Sequence, residues 1–133
     1  MGKSKNVETE PATFDELKAL PLMEGLPDLV RPQDMTVSQS LTFEVVRASA
    51  GEAVRKAQDS QGDTVEATIG LAGMVSGIND MFRELSVSGD VWDEWVKGRD
   101  FANLFETLTT LVRFYADQLG KSSESKTRSV TVE

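Results

Sequence analysis

Asp90, Asp93 and Glu94 form the densest carboxylate cluster in the chain, and carboxylate oxygens are the donors that Ca²⁺ and Mg²⁺ prefer. Asp63 and Glu66 form a smaller group. Neither follows the ligand spacing of a calcium loop. Both fall where a helix is expected to begin, and acidic side chains there are stabilised by the positive end of the helix dipole. Gly-Lys-Ser, the end of a phosphate-binding loop, occurs at Gly2-Lys3-Ser4 and Gly120-Lys121-Ser122. That loop needs a second glycine five residues earlier, where the later site has Tyr115 and the earlier site has no residue. The chain has no cysteine and no histidine, which removes thiolate nucleophiles, imidazole bases and the common zinc ligands. No catalytic, cofactor-binding or metal-binding residue is assigned, and the chain is not expected to be an enzyme.

Charge narrows the partners. The net charge is −8, and Lys and Arg are never clustered, so nothing offers the basic face that nucleic acid requires. No apolar run approaches the roughly 20 residues that a bilayer demands, and the charged N-terminus lacks a signal-peptide core. No membrane contact is expected, and the cytoplasm is the expected compartment. What remains is recognition of other proteins.

The elements that would position such a surface are helical. Thr13 and Glu16 have capping-box spacing ahead of Phe14, Leu17 and Leu20, and Pro21 stops that short helix. Between Pro21 and Pro32, prolines and Gly25 alternate with Leu22, Met23, Leu26, Leu29 and Val30, which predicts an extended path wrapping the core. Leu41, Val45 and Ala48 then take helical spacing, with Phe43 and Val46 beside them, although the β-branched residues here would also suit a strand. Gly51 is expected to separate this helix from a short run over 52–58, and 59–63 reads as a polar loop.

Val65, Ile69, Ala72, Val75, Ile78, Phe82 and Leu85 predict one face of a long helix, capped by Asp63 with Glu66 and ended by Ser88-Gly89. Gly70, Gly73 and Gly77 lie within it. Each costs about 1 kcal/mol relative to Ala, which is offset either by close packing or a kink, or by a partner-facing role. Asp90 is expected to cap a short helix carrying Trp92 and Trp95, ended by Gly98, and Asp100 to cap the last one. There Phe101, Phe105, Leu108, Val112, Tyr115 and Leu119 form a broad apolar face. The predicted fold class is all-α: an irregular helical bundle over 13–119, with an extended N-terminal segment and disordered tails at 1–12 and 120–133.

This layout resembles the tail assembly chaperones of long-tailed, non-contractile bacteriophages. The resemblance rests on the last helix, from Asp100-Phe101-Ala102-Asn103-Leu104-Phe105 to Arg113-Phe114-Tyr115-Ala116-Asp117-Gln118-Leu119-Gly120, and on the Ser-rich end Lys121-Ser122-Ser123-Glu124-Ser125. It implies a chaperone that coats the tape measure protein and keeps it soluble until tail tube subunits polymerise around it. Its place would be the host cytoplasm, with no share in the mature virion. It also implies a longer frameshifted form as a further partner. Leu119-Gly120-Lys121 can be encoded as CTG GGA AAG, which contains a slippery heptamer. Homo-oligomerisation is left open. The partner-binding residues expected on this reading are Trp92, Trp95, Phe101, Phe105, Leu108, Val112 and Tyr115, although core packing is the preferred reading of the two tryptophans taken by themselves. A small structural virion component, of head-completion or tail-terminator type, would share the acidic, compact character and is the alternative.

Overall fold

The computed structural model describes residues 11–59 and 64–132, with side chains as far as Gly120. Among these residues the chain is all-α. Five helices, α1 (Phe14–Ala19), α2 (Val37–Asp59), α3 (Thr64–Leu85), α4 (Gly89–Val96) and α5 (Phe101–Val132), follow one another, with 3-10 turns at Pro21–Met23 and Pro32–Asp34 between α1 and α2.

The Thr13 hydroxyl accepts from the Glu16 amide at 3.1 Å, and the Glu16 carboxylate accepts from the Ala12 amide at 2.7 Å, so α1 starts where the sequence predicts. The segment from Pro21 to Pro32 straps the core as expected, except that Pro21–Met23 forms a 3-10 turn where an extended path is predicted. Met23, Leu26 and Leu29 bury their side chains, and the backbone is tied down on both sides of Leu29. The Val30 amide donates to the Leu85 carbonyl at 2.8 Å and the Val87 amide to the Asp28 carbonyl at 2.9 Å. Gly25 has φ +81° and its missing Cβ would lie 3.5 Å from the Trp95 ring, whose Nε1 donates to the Glu24 carbonyl at 2.9 Å. Strap and α4 therefore close on each other at a position that favours glycine.

The strap is also clamped from α5. The buried Tyr115 hydroxyl donates to the Val30 carbonyl at 2.5 Å, and burial pushes its phenol above the ordinary value. A raised folded-state pKa means the stabilisation is fully present below the unfolded value of 10.0 and declines as pH rises beyond it. Tyr115 is the chain's one tyrosine, so phenolate absorbance should appear only together with loss of helix in an alkaline titration. Tyr115→Phe should lower stability by about 1 kcal/mol, because the Val30 carbonyl loses this donor.

α2 is longer than expected. It runs unbroken through Gly51, because the tertiary packing of its neighbours Ala50, Ala53 and Val54 outweighs the local cost of one glycine. A complete capping box holds its start: the Thr36 hydroxyl accepts from the Gln39 amide at 3.1 Å, while the Gln39 side-chain carbonyl accepts from the Thr36 amide at 2.9 Å. The expected cap at Asp63 lies outside the described residues. Ser88 does not end α3 but caps α4, accepting from the Val91 amide at 3.4 Å, so Asp90 stands inside that helix. Asp100 caps α5 as expected, accepting from the Asn103 amide at 2.9 Å. Helical backbone continues through Gly120 to Val132, where the sequence suggested a disordered tail from residue 120. No proline interrupts it, and extending an established helix costs far less than starting one. The other suggested tail, 1–12, lies outside the described residues except for Pro11 and Ala12.

α2 and α3 form an antiparallel hairpin, and α5 packs across its base. There Phe43, Ile78, Phe82, Trp92, Leu108, Leu111 and Tyr115 make the core with Leu17 and Met23 from the N-terminal segment. The Phe82 and Tyr115 rings meet edge to face at 5.1 Å between centroids.

Candidate protein-interaction surface

The core occupies only one end of the hairpin. Among the described residues from Gly51 to Gly73, none is buried. The buried residues of α3 begin at Met74, and those of α2 end at Ala50. Among the described residues the distal half thus has no buried side chain, although Ala53, Val54 and Leu71 still pack against the edge of the core.

The exposed end of α3 follows from its spacing. An α-helix turns about 100° per residue, so each step of three falls about 60° short of a full turn. Ile69, Ala72, Val75 and Ile78 are joined by three such steps, which carry the stripe about halfway round the helix. Val75, Ile78, Phe82 and Leu85 are accordingly core, whereas Val65 and Ile69 are 70% and 67% exposed and Ala72 is exposed with them. The same shift of face occurs on α2. Phe43 and Ala50 turn inward, and Leu41, Val45 and Ala48, whose spacing predicts the helix, point to solvent.

Between the arms of the distal half lies a groove of about 670 Å³. Ala53, Ala57, Ala67, Ile69 and Gly70 supply its apolar lining, and Glu52, Lys56, Asp59 and Glu66 its charge. Arg55 bridges Glu52 and Asp59 along α2, and its hydrogen bond holds the Glu52 carboxyl below the ordinary range. Gly70, Gly73 and Gly77 are exposed, and a Cβ at any of them would meet nothing within 4 Å. Close packing among the described residues therefore does not explain the three glycines. Gly73→Ala should stabilise the protein by about 0.5–1 kcal/mol, read as a raised denaturation midpoint, since helix propensity improves and nothing is displaced.

A second groove, of about 300 Å³, lies where the hairpin meets α5 and is lined by Ala50, Val54, Met74, Ile78, Val112 and Ala116, with Arg47 and Arg113 beside them.

The seven residues expected to bind a partner separate by depth. Trp92, Leu108 and Tyr115 have no exposed surface and belong to the core, which corrects their assignment as partner-facing. They lie at the centre of faces that are buried by the strap and by α3. Trp95 is half-buried between the strap and the Arg99 guanidinium, which stands 4.3 Å from its ring centroid. Phe105 and Val112 are half-buried on the flank of α5, and Phe101, 43% exposed, packs against Phe105 with the rings tilted and their centroids 6.0 Å apart. Of the expected set, Phe101, Phe105 and Val112 remain partly available along this flank.

The carboxylate cluster at α4 is occupied by salt bridges. Both Asp93 oxygens accept from Arg83, at 2.9 and 3.1 Å, and Glu94 accepts from Lys97 at 3.1 Å. The Arg83 hydrogen bonds hold the Asp93 carboxyl below its ordinary value. Among the described residues no group of three or more acidic side chains is arranged to hold a metal ion, and no helix is long and apolar enough to cross a membrane. Comparisons of the chain with protein-family models, curated proteins and solved structures give no match. The surface must therefore be read from its own chemistry.

Proposed function

We propose that this chain is a binding protein that covers apolar helical segments of a protein client with the distal half of its α2–α3 hairpin. The reading rests on one observation: Val65 and Ile69 stand exposed beside a groove floored by small residues, in a part of the molecule where none of the described residues is buried. Small floor residues leave room for large side chains of an incoming helix, and the two aliphatic side chains offer it apolar contact. The flank of α5 around Phe101, Phe105 and Val112 extends the same kind of surface. A net charge of −8 keeps such a complex dispersed by mutual repulsion.

The resemblance to phage tail assembly chaperones supplies the client. On that reading the chain holds the tape measure protein soluble in the host cytoplasm until tail tube subunits assemble around it. Co-expression with a tape measure protein tests this. The expected result is more soluble client and co-elution of both chains on size exclusion. An insoluble client in every combination, with no co-elution, would refute the chaperone role.

A further inference from the structure

A cavity of about 260 Å³ lies away from the hairpin groove, where the start of α1, the end of the strap and α5 meet. Its cation is Arg31. The half-buried guanidinium stands 4.1 Å from the centroid of the Phe14 ring, which meets Phe114 edge to face at 6.2 Å. Stacking occupies one face of the guanidinium and leaves its N–H edge for an acceptor in its own plane. Among the described residues no oxygen takes that edge. Arg47, Arg55 and Arg83 each pair with a carboxylate, and Arg99 donates to the Trp95 carbonyl and to the Asn103 side chain. Asp15 lines the same cavity, yet Arg31 forms no ion pair with it. The other polar side chains there, Thr13, Gln33 and Gln118, are neutral, and Gln118 donates to the Ala12 carbonyl at 2.9 Å, which ties the α5 wall to the N-terminal wall.

We propose that this cavity binds a carboxylate, whose oxygens accept from the N–H edge of Arg31 while its hydrocarbon part lies against Phe14, Phe114 and Pro32. A guanidinium and a carboxylate match as two parallel hydrogen bonds, and a guanidinium already held by a ring loses little freedom in making them. The Gln33 amide and the Thr13 hydroxyl supply further donors. Charge selects a monoanion over a phosphate dianion. The Asp15 carboxylate and a chain of net charge −8 repel a dianion roughly twice as strongly. Size selects as well. Sites for drug-sized ligands run from roughly 300 to 1,000 Å³, so this cavity has room for a single ring or a single residue, and a nucleotide is too large. The same carboxylate group is offered by a free small acid and by the C-terminal residue of a peptide.

Titration of the nitrogen-labelled full chain with benzoate, followed by NMR, tests this, with benzamide as the neutral counterpart and inorganic phosphate as the dianion. Benzoate should move the Arg31 Nε–H and Gln33 side-chain amide signals to saturation, and the other two should leave them in place. Arg31→Gln should weaken benzoate binding roughly tenfold or more, because the charge-assisted pair is lost. Its circular dichroism should stay native, since Arg31 has no hydrogen bond within the described residues to lose. Arg31→Lys keeps the charge without the fork and should recover only part of the binding, whereas Asp15→Asn should tighten it. A short peptide with a free C-terminal carboxylate, set beside its amidated form, identifies the source: a peptide end if it binds more tightly than benzoate and loses that on amidation, a free acid if benzoate binds more tightly. Glu8 and Glu10 precede Ala12 in the sequence, so Glu8→Gln with Glu10→Gln is titrated in parallel. Tighter benzoate binding there would show the chain's own carboxylates competing for Arg31. An Arg31 signal that benzoate moves in neither chain, an equal response to benzamide or phosphate, or binding that Arg31→Gln leaves intact overturns the proposal.

Discussion

Trp92→Ala should lower the free energy of unfolding by about 3–5 kcal/mol, a large part of the roughly 5–15 kcal/mol that holds a domain of this size together. The side chain is fully buried, with its ring 6.3 Å from that of Phe82 and 5.3 Å from that of Trp95. Truncation leaves a cavity where α3, α4 and the strap meet. It also removes the donor that reaches the Asn79 side-chain carbonyl at 2.8 Å, leaving a part-buried acceptor without that bond. Chemical denaturation followed by circular dichroism should show a much lower midpoint with an unchanged slope. Trp92→Phe, which keeps most of the apolar volume, should lose less. A Trp92→Ala variant with native stability that fails only to bind client would instead place Trp92 on the interaction surface.

The second large effect leaves the fold intact. Val65→Lys combined with Ile69→Lys should change stability by no more than about 0.5 kcal/mol, because both side chains are largely exposed and touch no core. Soluble client in co-expression should nevertheless fall close to the level reached without the chaperone. Two lysines on the α3 side of the groove would have to lose water against an apolar helix, and buried unpaired charge is costly. The two variants therefore separate stability from binding: one loses stability, and the other keeps it and loses the client.

Much of the architecture was legible because caps and breakers act locally. Thr13 with Glu16, Asp100 before Phe101, Gly98 at φ +82° and the proline-rich strap all stand where the sequence placed them. Thr36 with Gln39 carries the same signal and marks the start of α2. Depth was less legible. Apolar spacing alone does not say which stretch of an amphipathic helix has a neighbour, so Leu41, Val45, Val65 and Ile69 belong to the predicted apolar stripes although they face solvent. The angular drift of three successive steps of three was present in the sequence and would have separated Val65 and Ile69 from Ile78. On α5, the broad apolar face suggested a partner, but its centre is filled by the strap and by α3. Tyr115 meets Val30 from 85 residues away, a contact that no local pattern encodes.

Hydrogen exchange on the co-purified complex tests the central claim most directly, by comparing the chain alone with the chain bound to its client. Amides in 49–59 and 64–73 should gain the most protection on binding, while the strap and the core of α5, already protected, should change little. Protection confined to α4 and the strap, with the distal hairpin exchanging as in the free chain, would contradict the assignment of the hairpin as the client-binding surface.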